Sequence, residues 1–257
     1  MKHIRSEATG GVRRITLNRP EVLNAINADM HFELEDAFNT FAAAEDEHVC
    51  VITGEGRGFC AGTDLKAAVA EGYRPYPPHG YAGLIERFDC HKPFIAAVNG
   101  LALGGGFELA LACDIIIAGH SASFGLPEPL VGAIALGGGL HRLARQVPLK
   151  QAMGMILASR RVGAEEGYRL GFVTEAVPDG ELGAAVERWC GEILRASPVS
   201  VRTSKELVLS GLAERDVEAA MKAQPEHPAF QAWRTSEDAS EGPRAFAEKR
   251  APNWKGR

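Results

Sequence analysis

The segment that decides the fold runs from Phe94 to Glu128 and reads FIAAVNGLALGGGFELALACDIIIAGHSASFGLPE. It starts as an apolar strand, Phe94 to Val98, and continues through a glycine triplet at 104–106 into a helix-forming string, Phe107 to Cys113. Glycine permits backbone angles closed to other residues and lets another molecule approach the main chain. The first N–H groups of the helix lack partners and lie at the positive end of its dipole. The segment therefore predicts a strand, a glycine turn and a helix, with a place suited to a developing negative charge.

Two glutamates, each beside a glycine or proline turn, are candidates for acid–base chemistry. Glu108 lies one turn into the predicted helix, among apolar neighbours, where a buried charge requires a partner. Glu128 follows a second strand-like segment, Asp114 to Ala118, and the turn FGLPE. Paired carboxylates can act as general acid and general base. The alternative interpretation is that Glu108 caps or ion-pairs a helix and that Glu128 is a surface loop acid.

Length and composition favour a protein with a substantial core. The chain has 257 residues, of which 46% are hydrophobic, which fits one α/β domain with an appendage or two small domains. Apolar runs are shorter than a membrane span, and the N-terminus lacks a signal-peptide core. We therefore expect a cytoplasmic protein with no membrane partner.

Charge and metal-ligand patterns exclude several classes. The net charge of −5 and the lack of a dense basic run disfavour nucleic acid as a partner. The five cysteines are widely spaced and read as reduced thiols. The eight histidines show no HxxxH or HExxH spacing, so no metal site is expected.

The N-terminal third contains a second glycine-rich turn. A strand is predicted over Val12 to Asn18, and Asn27 is a candidate N-cap for an amphipathic helix. A buried strand, Val49 to Thr53, then leads directly into GEGRGFCAGTDLK. This turn misses the GxGxxG spacing and the chain has no GxxxxGK loop, so neither nucleotide-binding motif is present.

A tyrosine-rich segment from Ala67 to Tyr81 is predicted to be an irregular loop. It contains several glycines and prolines, and three of the four tyrosines of the chain lie at 73, 76 and 81. Such loops often carry binding residues. The segment can be interpreted as part of an acyl pocket or as an ordinary surface loop, and both interpretations stay open.

The C-terminal part of the sequence shows mainly helical patterns. Another glycine triplet, 137–139, enters a helix, and further helices are predicted over 149–159, 180–196, 200–212 and 217–223. The chain is thus divided into an α/β body, residues 1–195, and a helical region, residues 196–257.

Taken together, the motifs resemble the enoyl-CoA hydratase/isomerase (crotonase) family over nearly the whole chain. They are, in order, ITLNRPEVLNAI, GRGFCAGTDLK, KPFIAAVNGLALGGGFELALACDIIIA, FGLPE and EGPRAFAEKRAPNWKGR. The resemblance implies an α/β fold, a spiral of ββα units with a C-terminal helical trimerisation region. It also implies homotrimers or dimers of trimers, an acyl-CoA substrate of the kind met in fatty acid metabolism, and no metal or redox cofactor.

The resemblance assigns an oxyanion hole to two backbone groups. These are the N–H of Thr63 in AGTD and the N–H of Gly105 in the glycine triplet. Two fixed donors of this kind stabilise a thioester oxygen as it becomes enolate-like, and removing one typically costs about 3 kcal/mol of barrier.

The hydratase members of the family carry two glutamates that match Glu108 and Glu128. The resemblance therefore implies an enoyl-CoA hydratase, a lyase that adds water to a trans-2-enoyl-CoA and gives a 3-hydroxyacyl-CoA. We expect Glu128 to exchange the proton at the α-carbon and Glu108 to activate the water. Close carboxylates titrate as a unit, so the pair is better defined than the division of roles.

The resemblance also implies residues that bind coenzyme A. Around the adenine and pantetheine it indicates, largely through backbone contacts, Ala61, Asp64, Leu65 and Lys66. Phe246 and Lys249 are candidates for contacts with the coenzyme of a neighbouring subunit. For this last pair, the solvated end of an amphipathic helix is an equally open interpretation.

The pattern departs from the common hydratase at one place near the acyl pocket. Where many members have Pro-Gly, this chain has Ala135 and Leu136, and the larger leucine predicts an acyl pocket reshaped relative to that for a short straight-chain substrate. The alternatives are dehydration of a specialised hydroxyacyl-CoA, as in a carnitinyl-CoA dehydratase, and double-bond isomerisation. A non-enzymatic RNA-binding member and a Rossmann oxidoreductase are disfavoured by the charge, the glutamate pair and the missing fingerprint.

Overall fold

In the computed structural model, which describes residues 1–72 and 74–257, the apolar segments predicted as strands align into two sheets. The strands of the described residues are β1 Ile4–Thr9, β2 Val12–Leu17, β3 Val49–Gly54, β4 Gly58–Cys60, β5 Phe94–Val98, β6 Leu101–Leu103, β7 Ile115–Gly119, β8 Ser123–Gly125, β9 Val162–Gly163 and β10 Glu175–Val177. The helices are α1 Ala28–Ala43, α2 Leu65–Glu71, α3 Gly105–Ala112, α4 Gly139–Gln146, α5 Leu149–Leu157, α6 Ala164–Leu170, α7 Leu182–Leu194, α8 Pro198–Gly211, α9 Val217–Ala223, α10 Pro228–Arg234 and α11 Glu237–Ala247.

The larger sheet has the strand order β1-β2-β3-β5-β7-β10 in the described chain. Strands β1 and β2 are antiparallel, and the remaining neighbours are parallel. The smaller sheet has the order β4-β6-β8-β9, with β4, β6 and β8 parallel and β9 antiparallel. From β3 to β8, successive strands alternate between the two sheets, as repeated ββα units require, and the mixture of parallel strands and helices confirms the predicted α/β fold class.

Burial explains why these segments form strands. Every residue of β5 is buried, as expected for a strand covered on both faces. The short strands β4, β6 and β8 carry the chain from the large sheet to the turns at 61–64, 104–105 and 126–128. The smaller sheet therefore delivers these turns to neighbouring positions.

Helix α1 confirms the predicted cap and apolar face. The side chain of Asn27 accepts a hydrogen bond of 3.0 Å from the N–H of Met30. One face of the helix is fully buried, and its members are Met30, Leu34, Ala37, Phe38 and Phe41. The structure also contains the strands predicted around Val12, Val49, Phe94 and Ile115. The helices predicted in the C-terminal part are present as well, with ends shifted by a few residues.

The prediction of an irregular loop over 67–81 is wrong in its first part. Helix α2 extends to Glu71 because Asp64 caps it, with its side chain accepting a hydrogen bond from the N–H of Ala67. The last part, Tyr81–Gly83, is a 3-10 turn that contains Ala82 with a φ of 55°. Tyr73 lies outside the described residues.

Two compact units make up the described residues. The first combines 1–88 with 94–188, and the second combines 89–93 with 189–257. The division at residue 195 stays a prediction. Within the described residues, no helix combines the length and the apolar character needed to cross a membrane.

Candidate active site

The N-terminus of α3 forms one wall of the candidate site. Gly104, at the N-cap position, has φ 52° and ψ −127°, a conformation that favours glycine, and its N–H bonds to the carbonyl of Gly125 at 2.9 Å. The helix begins at Gly105, whose N–H therefore belongs to the first turn, where helical partners are lacking. The predicted oxyanion donor thus lies at the positive end of a helix dipole.

The loop that follows β4 lies against this helix N-terminus. The N–H of Ile26 bonds to the carbonyl of Gly62 at 2.8 Å, and the N–H of Asp64 bonds to the carbonyl of Ile26 at 2.9 Å. In extended chain successive N–H groups alternate in direction, so the N–H of Thr63 points away from Ile26. A Cβ atom on Gly62 would lie only 3.1 Å from the amide nitrogen of Gly105. The two predicted oxyanion donors are therefore on adjoining segments.

Asp64 supports this loop. Its carboxylate caps α2 and forms a 3.0 Å ion pair with Arg19. Burial acts to raise the pKa of Asp64, but the hydrogen bonds from the Ala67 amide and the Arg19 guanidinium outweigh it and hold the pKa below its usual range. The neighbouring Leu65 and Lys66 are exposed, and Ala61 is half-buried with its N–H bonded to Leu23. Their contacts with coenzyme A stay predictions.

Glu108 is buried, and its partner is a backbone amide. The side chain is only 3% exposed, and Oε1 accepts a hydrogen bond of 2.8 Å from the N–H of Gly139, the first residue of α4. A Cβ atom on Gly137 would lie 2.7 Å from Oε2, so glycine at this position leaves room for the carboxylate. Glu108 therefore caps a helix, as the alternative interpretation has it, although the helix is α4 and the carboxylate remains near the oxyanion turn.

The pKa of Glu108 is suited to proton transfer near neutral pH. Burial is the main cause that raises this pKa to about 7, and the nearby charge of Glu128 adds to it. Hydrogen bonds from the amides of Gly139 and Gly137 act in the opposite direction and keep the shift limited. A carboxyl group in this range can both accept and release a proton during turnover.

Glu128 faces the glycine turn that precedes α3. It follows β8 at the start of the 3-10 segment Glu128–Val131 and is half-buried, rather than the exposed loop acid of the alternative interpretation. A Cβ atom on Gly104 would lie 3.0 Å from its Oε1. Its Oε2 is buried without a hydrogen-bond partner in the described part of the chain, and burial raises its pKa. Buried carboxylate oxygens without a partner are rare in folded proteins, so this oxygen is a candidate for a hydrogen bond with a ligand.

The structure thus brings four predicted site residues together in the first unit. Gly105 and Glu108 lie in the first turn of α3, Glu128 lies against the Gly104 turn that precedes this helix, and the segment that contains Thr63 adjoins Gly105. Phe246 and Lys249 belong to the second unit, at the end of α11, where Phe246 is 87% exposed and Lys249 has a φ of 54°. Their contact with a neighbouring subunit stays a prediction.

Residues that the sequence did not assign also enter the site. The phenol of Tyr81 packs on Gly105 and its hydroxyl lies 3.3 Å from Oγ1 of Thr63. Arg142, near Glu108, donates to the carbonyl of Ile85 at 2.7 Å. Two features of the sequence could have indicated these residues: the cluster of tyrosines in the loop for Tyr81, and the basic residue after the last glycine triplet for Arg142.

The segment after Glu128 exposes apolar side chains. Leu136, which the sequence analysis connected with the shape of the acyl pocket, is 79% exposed, whereas Ala135 is buried. The other large apolar side chains exposed in this segment are Leu130, Val131 and Ile134. The Leu136 side chain is therefore directed to the surface in this chain and does not fill a buried pocket.

Comparison with known proteins defines the class. The sequence profile of the enoyl-CoA hydratase/isomerase family matches residues 7–257. A carnitinyl-CoA dehydratase from Salmonella typhi is 42% identical over 257 residues, with 96% of each chain covered. A crystal structure of enoyl-CoA hydratase from Mycobacterium tuberculosis H37Rv superimposes with a TM-score of 0.93 at 35% identity and complete coverage of both chains. An enoyl-CoA hydratase from Bacillus anthracis gives a TM-score of 0.90 at 32% identity, also with complete coverage.

The chain therefore belongs to the enoyl-CoA hydratase/isomerase family, and the resemblance found in its motifs is confirmed. Its relatives and structural neighbours are named for addition of water to, or its removal from, acyl-CoA thioesters, which indicates an enzyme of the lyase type.

Proposed function

We propose that this protein is an enoyl-CoA hydratase, which reversibly adds water to a trans-2-enoyl-CoA and gives a 3-hydroxyacyl-CoA. The observation that carries the proposal is a pair of glutamates whose charges interact, Glu108 buried and Glu128 half-buried, both with raised pKa values. Two carboxyl groups that share a site are suited to deliver and remove protons on adjacent carbon atoms.

In the proposed mechanism the thioester oxygen accepts hydrogen bonds from the N–H groups of Thr63 and Gly105. Charge moves onto this oxygen when the enoyl group is attacked, and fixed donors stabilise it without reorganisation. Coenzyme A is proposed to bind through the backbone around Ala61, Asp64, Leu65 and Lys66. Contacts of Phe246 and Lys249 with the coenzyme of a neighbouring subunit belong to the same proposal.

The two glutamates then divide the proton transfers. Glu108, ionised, accepts a proton from water, whose oxygen forms a bond to the β-carbon as the double bond breaks. Glu128, protonated, gives its proton to the α-carbon. The proton that Glu108 gains balances the one that Glu128 loses, and exchange with solvent or between the carboxyl groups restores the starting state. Dehydration follows the same steps in reverse.

A second candidate function is dehydration of carnitinyl-CoA, a 3-hydroxyacyl thioester with a trimethylammonium group. The observation that favours it is the 42% identity to proteins of this name, higher than the 32–35% identity to the enoyl-CoA hydratases of known structure compared above. The bond changes are those of the hydratase in reverse, so the proposed roles of both glutamates are kept. Double-bond isomerisation is a lesser candidate because it needs no second carboxyl group to activate water.

The absorbance of the conjugated enoyl thioester separates these functions. Loss of absorbance with crotonyl-CoA is the expected result for a general hydratase. Gain of absorbance from carnitinyl-CoA, without turnover of crotonyl-CoA, assigns the specialised dehydratase. Inactivity on both, together with no turnover of branched or aromatic enoyl-CoA thioesters, contradicts the proposal. Activity should be unchanged in EDTA, because the proposed steps use no metal.

An oligomer is part of the proposal, as a homotrimer or a dimer of trimers. Sedimentation velocity at several protein concentrations would distinguish these two states, and a monomer at all concentrations would contradict both.

A further inference from the structure

The Tyr81 side chain lies at the place where the two proposed oxyanion donors meet. Its hydroxyl is 3.3 Å from Oγ1 of Thr63. A Cβ atom on Gly105 would overlap the phenol ring and its oxygen, so the hydroxyl packs directly on the Cα of Gly105. One phenol therefore touches both residues whose amides form the proposed oxyanion hole.

The orientation of the hydrogen bond leaves the phenolic proton available. Oγ1 of Thr63 donates to the Tyr81 oxygen, and a hydroxyl that accepts one hydrogen bond still carries a proton that it can donate. Burial raises the pKa of Tyr81 well above its usual value, and the nearby Glu108 charge acts in the same direction, so the hydroxyl stays protonated. Tyr81 is only 6% exposed, but Thr63 beside it is exposed, so a ligand that reaches Thr63 lies next to this hydroxyl.

The position of the phenol is fixed by its surroundings. The next residue, Ala82, has a φ of 55° and donates its N–H to Nδ1 of His31 at 2.9 Å. Burial lowers the pKa of His31 to about 4, so the ring is neutral and Nδ1 can accept. The His31 ring also packs edge-on against the Tyr81 ring with centroids 4.6 Å apart. Donors held in this way lose little freedom when they bind a developing charge.

A second group of contacts packs the turn that contains Tyr81 against helix α1. A Cβ atom on Gly83 would lie 2.6 Å from the Cα of Glu35, so the turn packs directly on helix α1. The carboxylate of Glu35 is paired with His79 at 2.6 Å and with Arg87 at 3.4 Å. The 79–87 segment is therefore tied to α1 on both sides of Tyr81.

We propose that the Tyr81 hydroxyl is a third hydrogen-bond donor to the thioester oxygen, beside the amides of Thr63 and Gly105. This inference rests on the proposed function, because it requires an acyl-CoA thioester at the same turn. The chemical step is unchanged: the hydroxyl keeps its proton and stabilises the enolate-like oxygen by a hydrogen bond. Oγ1 of Thr63 acts as a positioning group that holds the phenol.

The first test compares Tyr81→Phe with the matched control Tyr168→Phe, which removes the hydroxyl of an exposed tyrosine on α6. We expect Tyr81→Phe to lower kcat about 100-fold, with little change in KM, on every enoyl-CoA that is turned over. Tyr168→Phe should keep wild-type kcat and KM. Unchanged kcat in Tyr81→Phe overturns the inference, and so does a loss confined to KM or to acyl groups with polar substituents.

A second readout does not depend on turnover. Infrared spectra of bound butyryl-CoA labelled with ¹³C at the carbonyl report hydrogen bonding, because each donor lowers the carbonyl stretching frequency. We expect a higher frequency in Tyr81→Phe than in the wild type and in Tyr168→Phe. Equal frequencies contradict the third donor even if the hydratase activity is confirmed. A frequency difference in a protein that hydrates no substrate supports the donor and contradicts the proposed reaction, and no binding of the thioester contradicts both.

Substitution of Thr63 tests the positioning role. Thr63→Val keeps the amide and removes the hydroxyl, whereas Thr63→Ser keeps both. We expect Thr63→Val to lower kcat, Thr63→Ser to restore it, and the double variant with Tyr81→Phe to be no slower than Tyr81→Phe alone. Additive losses in the double variant would contradict coupling through the phenol.

Discussion

The N–H of Gly139 donates a 2.8 Å hydrogen bond to Oε1 of Glu108. This N–H opens helix α4 and has no partner within its own helix, so a carboxylate on α3 completes the helix start. The same contact holds Glu108 near the oxyanion turn, and Gly137 leaves space for its other oxygen. One side chain thus serves both the packing of two helices and the proposed proton transfer, and experiments can separate these roles.

Removal of either acidic group should abolish most of the activity. We expect Glu108→Gln and Glu128→Gln each to lower kcat by about 10²–10⁴-fold, because each variant loses one proton-transfer group and keeps its size. Glu7→Gln, on the exposed side of β1, is the control and should be unaffected. Steady-state kinetics with the preferred enoyl-CoA provide the measurement. Near-normal turnover in either site variant would remove that residue from the mechanism.

The activity should depend on pH through Glu108. Burial raises its pKa to about 7, and the proposed mechanism requires the ionised form for hydration. The hydration rate should therefore increase as Glu108 ionises near pH 7 and decrease at higher pH, where Glu128 loses the proton that it gives to the α-carbon. Measurement of kcat at pH values between 5 and 9 tests this pH dependence. A rate that is flat between pH 5.5 and 8.5 would contradict the role of Glu108 as the base.

The stability of the fold should also depend on the ionisation of Glu108. It should decrease as the pH rises, whereas the hydration rate increases as this group ionises. Between pH 4.5 and 7 the folded chain keeps a proton on Glu108 that the unfolded chain has lost, so this contribution to stability is lost as the pH rises through about 7. The contribution amounts to at most about 3 kcal/mol. Glutamine cannot titrate, so Tm should fall less in Glu108→Gln than in the wild type between pH 5 and 8. Parallel Tm curves would contradict the raised pKa.

A methyl group at Gly137 should disturb catalysis more than folding. Its Cβ would lie 2.7 Å from Oε2 of Glu108 and would displace the carboxylate. We expect Gly137→Ala to lower kcat about 100-fold, since small misplacements of a catalytic group have effects of this size. Gly154→Ala on α5 is the matched control, because within the described chain nothing lies within 4 Å of its Cβ. It should keep full activity and gain about 0.5–1 kcal/mol of stability.

Asp64 should contribute to stability through its cap. Asp64→Ala removes both the hydrogen bond to the Ala67 amide and the ion pair with Arg19, and we expect a loss of about 1–2 kcal/mol in the free energy of unfolding. Asp64→Asn keeps a capping oxygen and should lose less. Urea denaturation measures both variants. Equal losses of stability in both variants would assign the effect to the ion pair and not to the cap. No loss in either variant would show that neither contact contributes.

Much of the local structure could be predicted from residue patterns. The cap at Asn27, the apolar face of α1 and the buried strand β5 follow from short-range rules on hydrogen bonding and periodicity, and the structure contains all three. The loop predicted over 67–81 was wrong in its first part because the helix that Asp64 caps continues to Glu71, directly before the first glycine of this segment. Local signals of similar strength compete there, and the sequence does not decide between them.

The candidate site was predicted only in part. The two glutamates and the glycine turns have recognisable spacing, but the contacts of Tyr81 and of Gly139 join residues far apart in the chain. No local rule relates a tyrosine in a proline-rich loop to the start of a helix more than twenty residues later. These contacts depend on the path of the whole spiral.

The sequence by itself determined the family, the strand–turn–helix units and the positions of the two glutamates, because glycine turns, caps and apolar periodicity are properties of neighbouring residues. Only the tertiary structure decided that Glu108 is buried under the start of α4 and that Tyr81 packs on Gly105. Burial and long-range charge set the pKa of a carboxyl group, and both arise only when distant segments pack together.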